Sequence, residues 1–315
     1  MATVYVTKRI PPEHLARIAG FDVGVWEGDG PVPRDQLLEE VADVRGLLTM
    51  LTDRIDAEVL DAAPHLEVVS QMAVGLDNID VAECRRRGIR VGHTPDVLTE
   101  TVADSAFALL AAIVRRLPEG EREVRAGEWG PWEIFHLAGG DLHHTTLGIV
   151  GMGRIGQAIA RRARGFDMDV VYSSPREMTV DAVRLPLDEL LATADHVVIS
   201  TRLDETTRGL ISKRELGMMK PSAYLVNIAR GPIVDTEALT AALTRGDLAG
   251  AALDVTDPEP LPPDHPLLRL GNCLVVPHIA SASVRTRMAM SSLAVENLIA
   301  GLAGSAMPAE YLPPG

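Results

Sequence analysis

Three glycines, at positions 151, 153 and 156, constrain this chain more than any other feature, because of what flanks them. The apolar run "LGIVGM" in front reads as a buried strand, and "RIGQAIARRA" behind has helical periodicity, so the glycines occupy a strand–turn–helix. In that setting Gly151 permits the tight turn, Gly153 lets backbone approach a pyrophosphate, and Gly156 lets the helix meet the strand. The helix N-terminus adds N–H groups and the positive end of its dipole, a place for an anion. The spacing alone is weak in a chain with 27 glycines; its context is what predicts a dinucleotide-binding βα unit.

Net charge makes such a local device necessary. Lys and Arg number 30 against 44 Asp and Glu, a net charge of −14, so the surface at large is unsuited to nucleic acid or an anionic membrane. Neither is expected as a partner, and an anionic ligand has to be gripped by features like the glycine turn.

Around this unit the chain has room for two domains at 315 residues, and its low aromatic content (3%) with 46% apolar residues suits α/β layers. The first hundred residues alternate strand-like runs ("ATVYVT", "DVGVWE", "GLLTML", "LEVVSQMA", "IRVGHT") with amphipathic stretches such as "RDQLLEEVAD", a βα series with a parallel sheet. Thr99 can then cap one long helix through "LTETVADSAFALLAAIVRRLPEGEREV", apolar on nearly every side at first, as a buried spine between domains would be. A second series starts at the glycines and continues through "DVVYSS", "HVVIST", "AYLVNIA", "GAALDVT" and "CLVVPH". The last helix, "RTRMAMSSLAVENLIAGLAG", has no strand after it and could pack on either domain. The N-terminus lacks signal-peptide character and no window is apolar enough to span a membrane, which with only Cys84 and Cys273 points to a soluble, cytoplasmic protein. No metal is expected: His143 and His144 are adjacent and "GLDNID" lacks a calcium-loop pattern.

The choice between NAD and NADP turns on the tip of the strand after the glycines. An NAD site places an acid there for the ribose 2′-OH. Counting about 20 residues on from the glycines lands near Glu177. The strand is expected to end by Tyr172, however, leaving Ser173 and Ser174 in place of the acid and Arg176 to meet a 2′-phosphate; position outweighs the count, so NADP(H) is favoured over NAD(H).

Three later strands each end in a residue with chemical use: "YLVNIARG" delivers Arg230, "LDVTDPEP" leads to Glu259 between two prolines, and "CLVVPHIASAS" delivers His278. In parallel sheets ligands bind beyond the carboxyl ends of strands, so the three can converge beside the cofactor. Reducing a 2-oxo acid puts negative charge on the ketone oxygen as hydride arrives, which calls for a protonated imidazole. A neighbouring carboxylate favours that charged ring, and an arginine can fork to carboxylate and carbonyl together.

With "MAVGLDNID", "TPDVLTETVAD", "GIVGMGRIGQAIARRARGF", "NIARGPIVDTEAL", "AGAALDVTDPEPLPPDHPLL" and "PHIASASVRTR" in view, the chain resembles the D-isomer-specific 2-hydroxyacid dehydrogenases over essentially its whole length, and within them the glyoxylate and hydroxypyruvate reductase branch. The resemblance implies two Rossmann-like doubly wound parallel-sheet domains. A discontinuous, flavodoxin-like substrate domain (1–98 and 284–315) would wrap an inserted dinucleotide-binding Rossmann domain (99–283), with the substrate between them and the last helix on the first domain. It makes Arg230 the group that binds and polarises the 2-oxo acid, His278 the acid/base and Glu259 its partner. It assigns the substrate carboxylate to the backbone at Val74 and Gly75, with Ser281 and Leu51 nearby. The cofactor would be met by Thr101, Arg154, Ile155, Ile228, Ala229 and Asp254 besides the three glycines and the "SSPRE" tip, Asp254 facing the nicotinamide carboxamide. A homodimer is implied as well.

The chain departs from the family pattern at Ala280, where many relatives have Gly, and at Arg202, where many have Pro. It departs again at His136 in "WGPWEIFHLAGGDLHH", where the animal branch tends to carry Trp; that loop is expected to reach the partner's active site, so the change bears on substrate choice. Competing readings are another D-2-hydroxyacid dehydrogenase such as phosphoglycerate dehydrogenase and, from a different class, a non-catalytic nucleotide-sensing corepressor. A formate dehydrogenase is disfavoured, since those enzymes carry Gln where this chain has Glu259.

Overall fold

In the computed structural model, which describes residues 3–312, strands and helices alternate from the start. The first series is β1 (Val4–Val6), α1 (Pro12–Leu15), β2 (Val23–Val25), α2 (Arg34–Glu40), β3 (Gly46–Thr49), α3 (Ala57–Ala62), β4 (Val68–Gln71), α4 (Val81–Arg86) and β5 (Arg90–Gly92). Its strands pair in parallel in the order β2-β1-β3-β4-β5, a flavodoxin-like sheet. Alternate residues supply the two cores: Tyr5, Leu47, Val69 and Val91 pack with α2 to α4 on one face, Val4, Val6, Leu48 and Val68 on the other. Because both faces are covered, the central strands β3 and β4 are buried throughout, polar Thr49, Ser70 and Gln71 included.

The second series is α5 (Thr99–Val114), α6 (Leu117–Ala126), β6 (Thr146–Val150), α7 (Arg154–Ala163), β7 (Asp169–Ser173), β8 (Val183–Arg184), α8 (Leu187–Thr193), β9 (His196–Ile199), α9 (Lys213–Leu216), β10 (Tyr224–Asn227), α10 (Thr236–Arg245), β11 (Gly250–Leu253) and β12 (Cys273–Val275). All seven strands pair in parallel in the order β12-β11-β10-β9-β6-β7-β8. Chain direction across the sheet reverses between β6 and β9, the switch point where doubly wound sheets bind dinucleotides. The last helix, α11 (Val284–Leu302), lies on β3, β4 and β5, where Ala294, Val295 and Leu298 complete the second core of the first sheet.

By contacts the chain divides into one unit made of residues up to Leu98 with those from Ser283 onward, and a second from Thr99 to Ala282. Ser283 thus falls with the first unit, not with the inserted segment, because its Oγ accepts the Thr286 N–H at 3.1 Å and caps α11.

Three local expectations need correction. The single helix from Thr99 is two helices: Arg116 has φ 53°, Pro118 follows, and the Val114 carbonyl is taken by the Gly140 N–H at 3.1 Å. Thr99 is the first helical residue, not the cap. The strand after the glycines runs through Ser173, one residue further than expected, and the two-residue edge strand β8 pairs beside it. Among the described residues no helix is long and apolar enough to cross a membrane, and both cysteines are buried and free.

Candidate active site

The glycine turn joins β6 to α7. Gly151 has φ 99°, a conformation that L side chains rarely adopt, and a Cβ on it would fall 2.6 Å from the Thr201 nitrogen. A Cβ on Gly156 would meet the Gly151 carbonyl at 2.2 Å, so helix and turn touch backbone to backbone. Gly153 is different: it is exposed, nothing lies within 4 Å of where its Cβ would be, and no side chain caps the helix that begins after it. The Gly151 carbonyl accepts the Ser200 Oγ at 2.7 Å, which ties the turn to the end of β9. Open space over an uncapped helix N-terminus is what a pyrophosphate needs, and the residues present fit that group. Arg154 and Ile155 form the first turn of α7 and remain partly or fully accessible.

At the tip of β7, Arg184 from β8 donates to the carbonyls of Ser174 (3.1 Å) and Pro175 (3.0 Å) and so shapes the turn. Arg176 stands exposed on that turn, and Ser173 and Ser174 are half-buried.

Arg230, Asp254 and His278 follow β10, β11 and β12. Asn227 pairs with Leu253 and Leu253 with Val275, so all three emerge at one edge of the sheet. Buried Asn227 shapes the first turn by donating to the Arg230 carbonyl (2.9 Å) and accepting the Ala229 N–H (3.0 Å), while Ile228 and Ala229 are themselves buried.

Glu259 Oε1 lies 2.6 Å from Nδ1 of His278, and its Oε2 accepts the Thr256 N–H at 3.2 Å. The Asp257–Pro258 and Glu259–Pro260 peptides on either side of it are cis, and Thr256 Oγ1 donates to the Pro258 carbonyl at 2.8 Å. Burial pushes the Glu259 carboxyl up, but the hydrogen bond and charge of His278, the Thr256 N–H and the charge of Arg230 together hold it below the usual carboxylate range. A carboxylate on Nδ1 leaves Nε2 as the nitrogen that can exchange a proton with a ligand.

His278 has φ 52°, and its backbone is held in that left-handed conformation from below. Its N–H donates to the Asp254 carbonyl at 2.9 Å, and the Asp254 carboxylate accepts the N–H groups of Ile279 (2.6 Å) and Ala280 (3.0 Å). Asp254 is 1% exposed, and burial raises its carboxyl despite those N–H groups. Asp254 therefore holds the strap that carries His278, a role that its position in the sequence did not reveal. Ala280 is buried on the same strap with its carbonyl on Ser105 Oγ at 2.8 Å, and Ser281 follows half-buried. Arg202 pairs with Asp204 at 2.9 Å, and His136 is tied to Glu123 of α6 at 2.8 Å. Thr101 lies half-buried in the first turns of α5.

In the first unit Leu51 follows β3, and Val74 with Gly75 follows β4, at the carboxyl edge of that sheet. Neither the Val74 nor the Gly75 N–H donates to another protein atom among the described residues. The two loops are braced by groups that sequence reasoning did not single out. Buried Asp53 accepts from Thr7 Oγ1, Thr49 Oγ1 (2.9 Å) and the Met50 N–H (2.8 Å). Asn78 donates to the carbonyls of Met50 (3.1 Å) and Asp53 (2.7 Å) and accepts from Gln71 at 2.7 Å.

A doubly wound sheet with an open glycine turn at its switch point, and a carboxylate–imidazole pair beside an arginine at the same edge, defines a dinucleotide-binding protein equipped for acid–base chemistry. The family model for the D-isomer specific 2-hydroxyacid dehydrogenase NAD binding domain matches residues 107–280. The chain is 46% identical to a human glyoxylate reductase/hydroxypyruvate reductase, covering 98% of this chain and 97% of that one, and 47% identical to a glyoxylate reductase of Korarchaeum cryptofilum, covering 97% and 94%. Among solved structures, the TT0316 protein of Thermus thermophilus superposes with TM-score 0.94 at 48% identity over 98% of this chain and 99% of that one. An NADPH-dependent glyoxylate/hydroxypyruvate reductase of Sinorhizobium meliloti, solved with NADP and malonate, gives 0.87 at 35% identity over 98% and 96%. The chain belongs to the D-isomer specific 2-hydroxyacid dehydrogenase family, and is an oxidoreductase with a nicotinamide dinucleotide domain.

Proposed function

We propose that this protein reduces small 2-oxo acids to the corresponding 2-hydroxy acids, glyoxylate to glycolate and hydroxypyruvate to D-glycerate, with NADPH preferred over NADH. The observation that carries the reading is the His278–Glu259 pair at 2.6 Å with the charge of Arg230 upon it. The reduced nicotinamide, when bound, supplies the hydride. Arg230 holds and polarises the ketone, and His278 gives the proton from Nε2 to the oxygen on which charge develops. Glu259 stabilises the imidazolium before the transfer and orients the ring through Nδ1. The substrate carboxylate falls to the N–H groups of Val74 and Gly75, with Ser281 and Leu51 beside it.

The cofactor assignment rests on the gap over Gly153 and the uncapped start of α7 for the pyrophosphate, with Thr101, Arg154, Ile155, Ile228, Ala229 and Asp254 around the rest. The NADPH preference rests on exposed Arg176 and on the absence of an acid at Ser173 and Ser174. We assign the protein to the cytoplasm as a homodimer. Trp129, Trp132, Ile134 and Phe135 are each at least 70% exposed, an apolar surface that a second copy would cover. Oxidation of NADPH and NADH, followed against a panel of 2-oxo acids, tests the reading: glyoxylate and hydroxypyruvate should be turned over, with higher kcat/KM for NADPH, and a chain that oxidises neither cofactor with any of them is not this enzyme.

A further inference from the structure

The peptide units leading into Gly75 are fixed from behind, one after another. The Ala73 carbonyl accepts the Thr94 N–H at 2.8 Å, the Val74 carbonyl meets Nδ1 of His93 at 3.1 Å, and the Gly75 carbonyl lies 3.5 Å from Nε2 of Gln71, at the limit of a hydrogen bond. These peptides are trans, so each N–H points away from the carbonyl of its own unit. A carbonyl held on one side therefore sets the direction of the next residue's N–H on the other. Thr94 in this way aims the Val74 N–H, and His93 aims the Gly75 N–H, the two donors that no other protein atom takes among the described residues.

His93 is itself tightly placed. Its carbonyl accepts from Asn297 Nδ2 at 2.9 Å, its N–H donates to the Ala309 carbonyl at 3.1 Å, and its ring meets Tyr311 edge-on at 5.6 Å. Asn297, fully buried on α11, closes the loop by accepting the Ala309 N–H at 2.8 Å. The ring thus stands on the C-terminal helix and the segment after it, with Nδ1 at the Val74 carbonyl.

We propose that His93 is a positioning residue for substrate recognition, its Nδ1–H holding the Val74 carbonyl so that the Gly75 N–H is presented to the carboxylate of the 2-oxo acid. This rests on the assignment of that carboxylate to Val74 and Gly75. His93→Phe keeps a ring against Tyr311 and deletes the donor, whereas His93→Asn puts an amide N–H where Nδ1 stands. At saturating NADPH, His93→Phe should raise the KM for glyoxylate and the inhibition constant of glycolate together by about tenfold, the scale of one weakened hydrogen bond to a charged group. Its kcat and its KM for NADPH should stay near wild type, and His93→Asn should restore most of the loss.

An unchanged KM in His93→Phe overturns the proposal, and so does a His93→Asn as impaired as His93→Phe, since the donor would then not be what matters. A fall in kcat and in NADPH affinity parallel to the rise in KM marks a merely structural residue and also overturns it. Should His93→Phe fail to fold, His93→Gln, with its donor one methylene displaced, takes its place against His93→Asn. Wild-type turnover of glyoxylate separates the two levels: turnover with an unmoved KM in the variant removes only His93's role, and no wild-type turnover removes the function on which it rests.

Discussion

Glu259→Gln isolates the charge of the acid–base pair, because it keeps the shape of the side chain that faces His278 Nδ1 at 2.6 Å. Opposite unit charges about 4 Å apart attract by about 4 kcal/mol at an effective dielectric constant near 20. The two side chains are 23% and 35% exposed, and solvent reduces this to roughly 1 to 2 kcal/mol, or about fivefold to thirtyfold in an equilibrium. In the proposed mechanism the pair loses that support in the variant, and kcat/KM for glyoxylate reduction should fall by about the same factor. Steady-state kcat/KM for glyoxylate measures this, and a variant with the wild-type value would refute the reasoning. Folding gives an independent reading of the same pair. The folded Glu259 carboxyl lies below its ordinary value of 4.5, so its contribution to stability is complete above that pH and is lost as pH falls through the folded value. The Tm advantage of wild type over Glu259→Gln should therefore shrink on acidification below 4.5.

His278→Ala should lower kcat by about 10² to 10⁴ while leaving NADPH affinity, measured by fluorescence titration, largely intact; near-normal turnover would remove His278 from the mechanism. Arg176→Ala should cut kcat/KM for NADPH by about tenfold or more without a matching loss for NADH, and an unchanged ratio would remove Arg176 from a 2′-phosphate site. Asp254→Ala leaves the Ile279 and Ala280 N–H groups without their acceptor at a cost of about 1 to 3 kcal/mol, visible as a lower Tm; a loss of kcat is also expected because the strap carries His278. If the proposed dimer forms through the exposed apolar surface, Trp132→Ser with Phe135→Ser should shift the sedimentation coefficient toward that of a monomer, and no shift would remove this surface from the proposal.

What could be read in the sequence was whatever depends on neighbours in the chain. The glycine turn, the apolar strands and the residues just past the ends of β10, β11 and β12 are local patterns, and parallel pairing then brings Arg230, Glu259 and His278 to one edge without further information. The break at Arg116 was also visible, since Pro118 cannot continue a helix from within, but the apolar run before it masked the signal. The residue-level bracing was not legible, because its partners lie far apart: Asp53 accepts from Thr7 46 positions away, and Asn78 reaches back 25 to the Asp53 carbonyl. Such side chains look like ordinary solvated loop residues until the sheet sets their distance. Asp254 shows the same limit from the other side. Its place at a strand end marked it as functional, yet only the fold shows its carboxylate turned onto the Ile279 and Ala280 N–H groups. A residue type at a strand end therefore fixes where chemistry can occur, while which group acts and which one holds it in place is decided by contacts that sequence spacing does not encode.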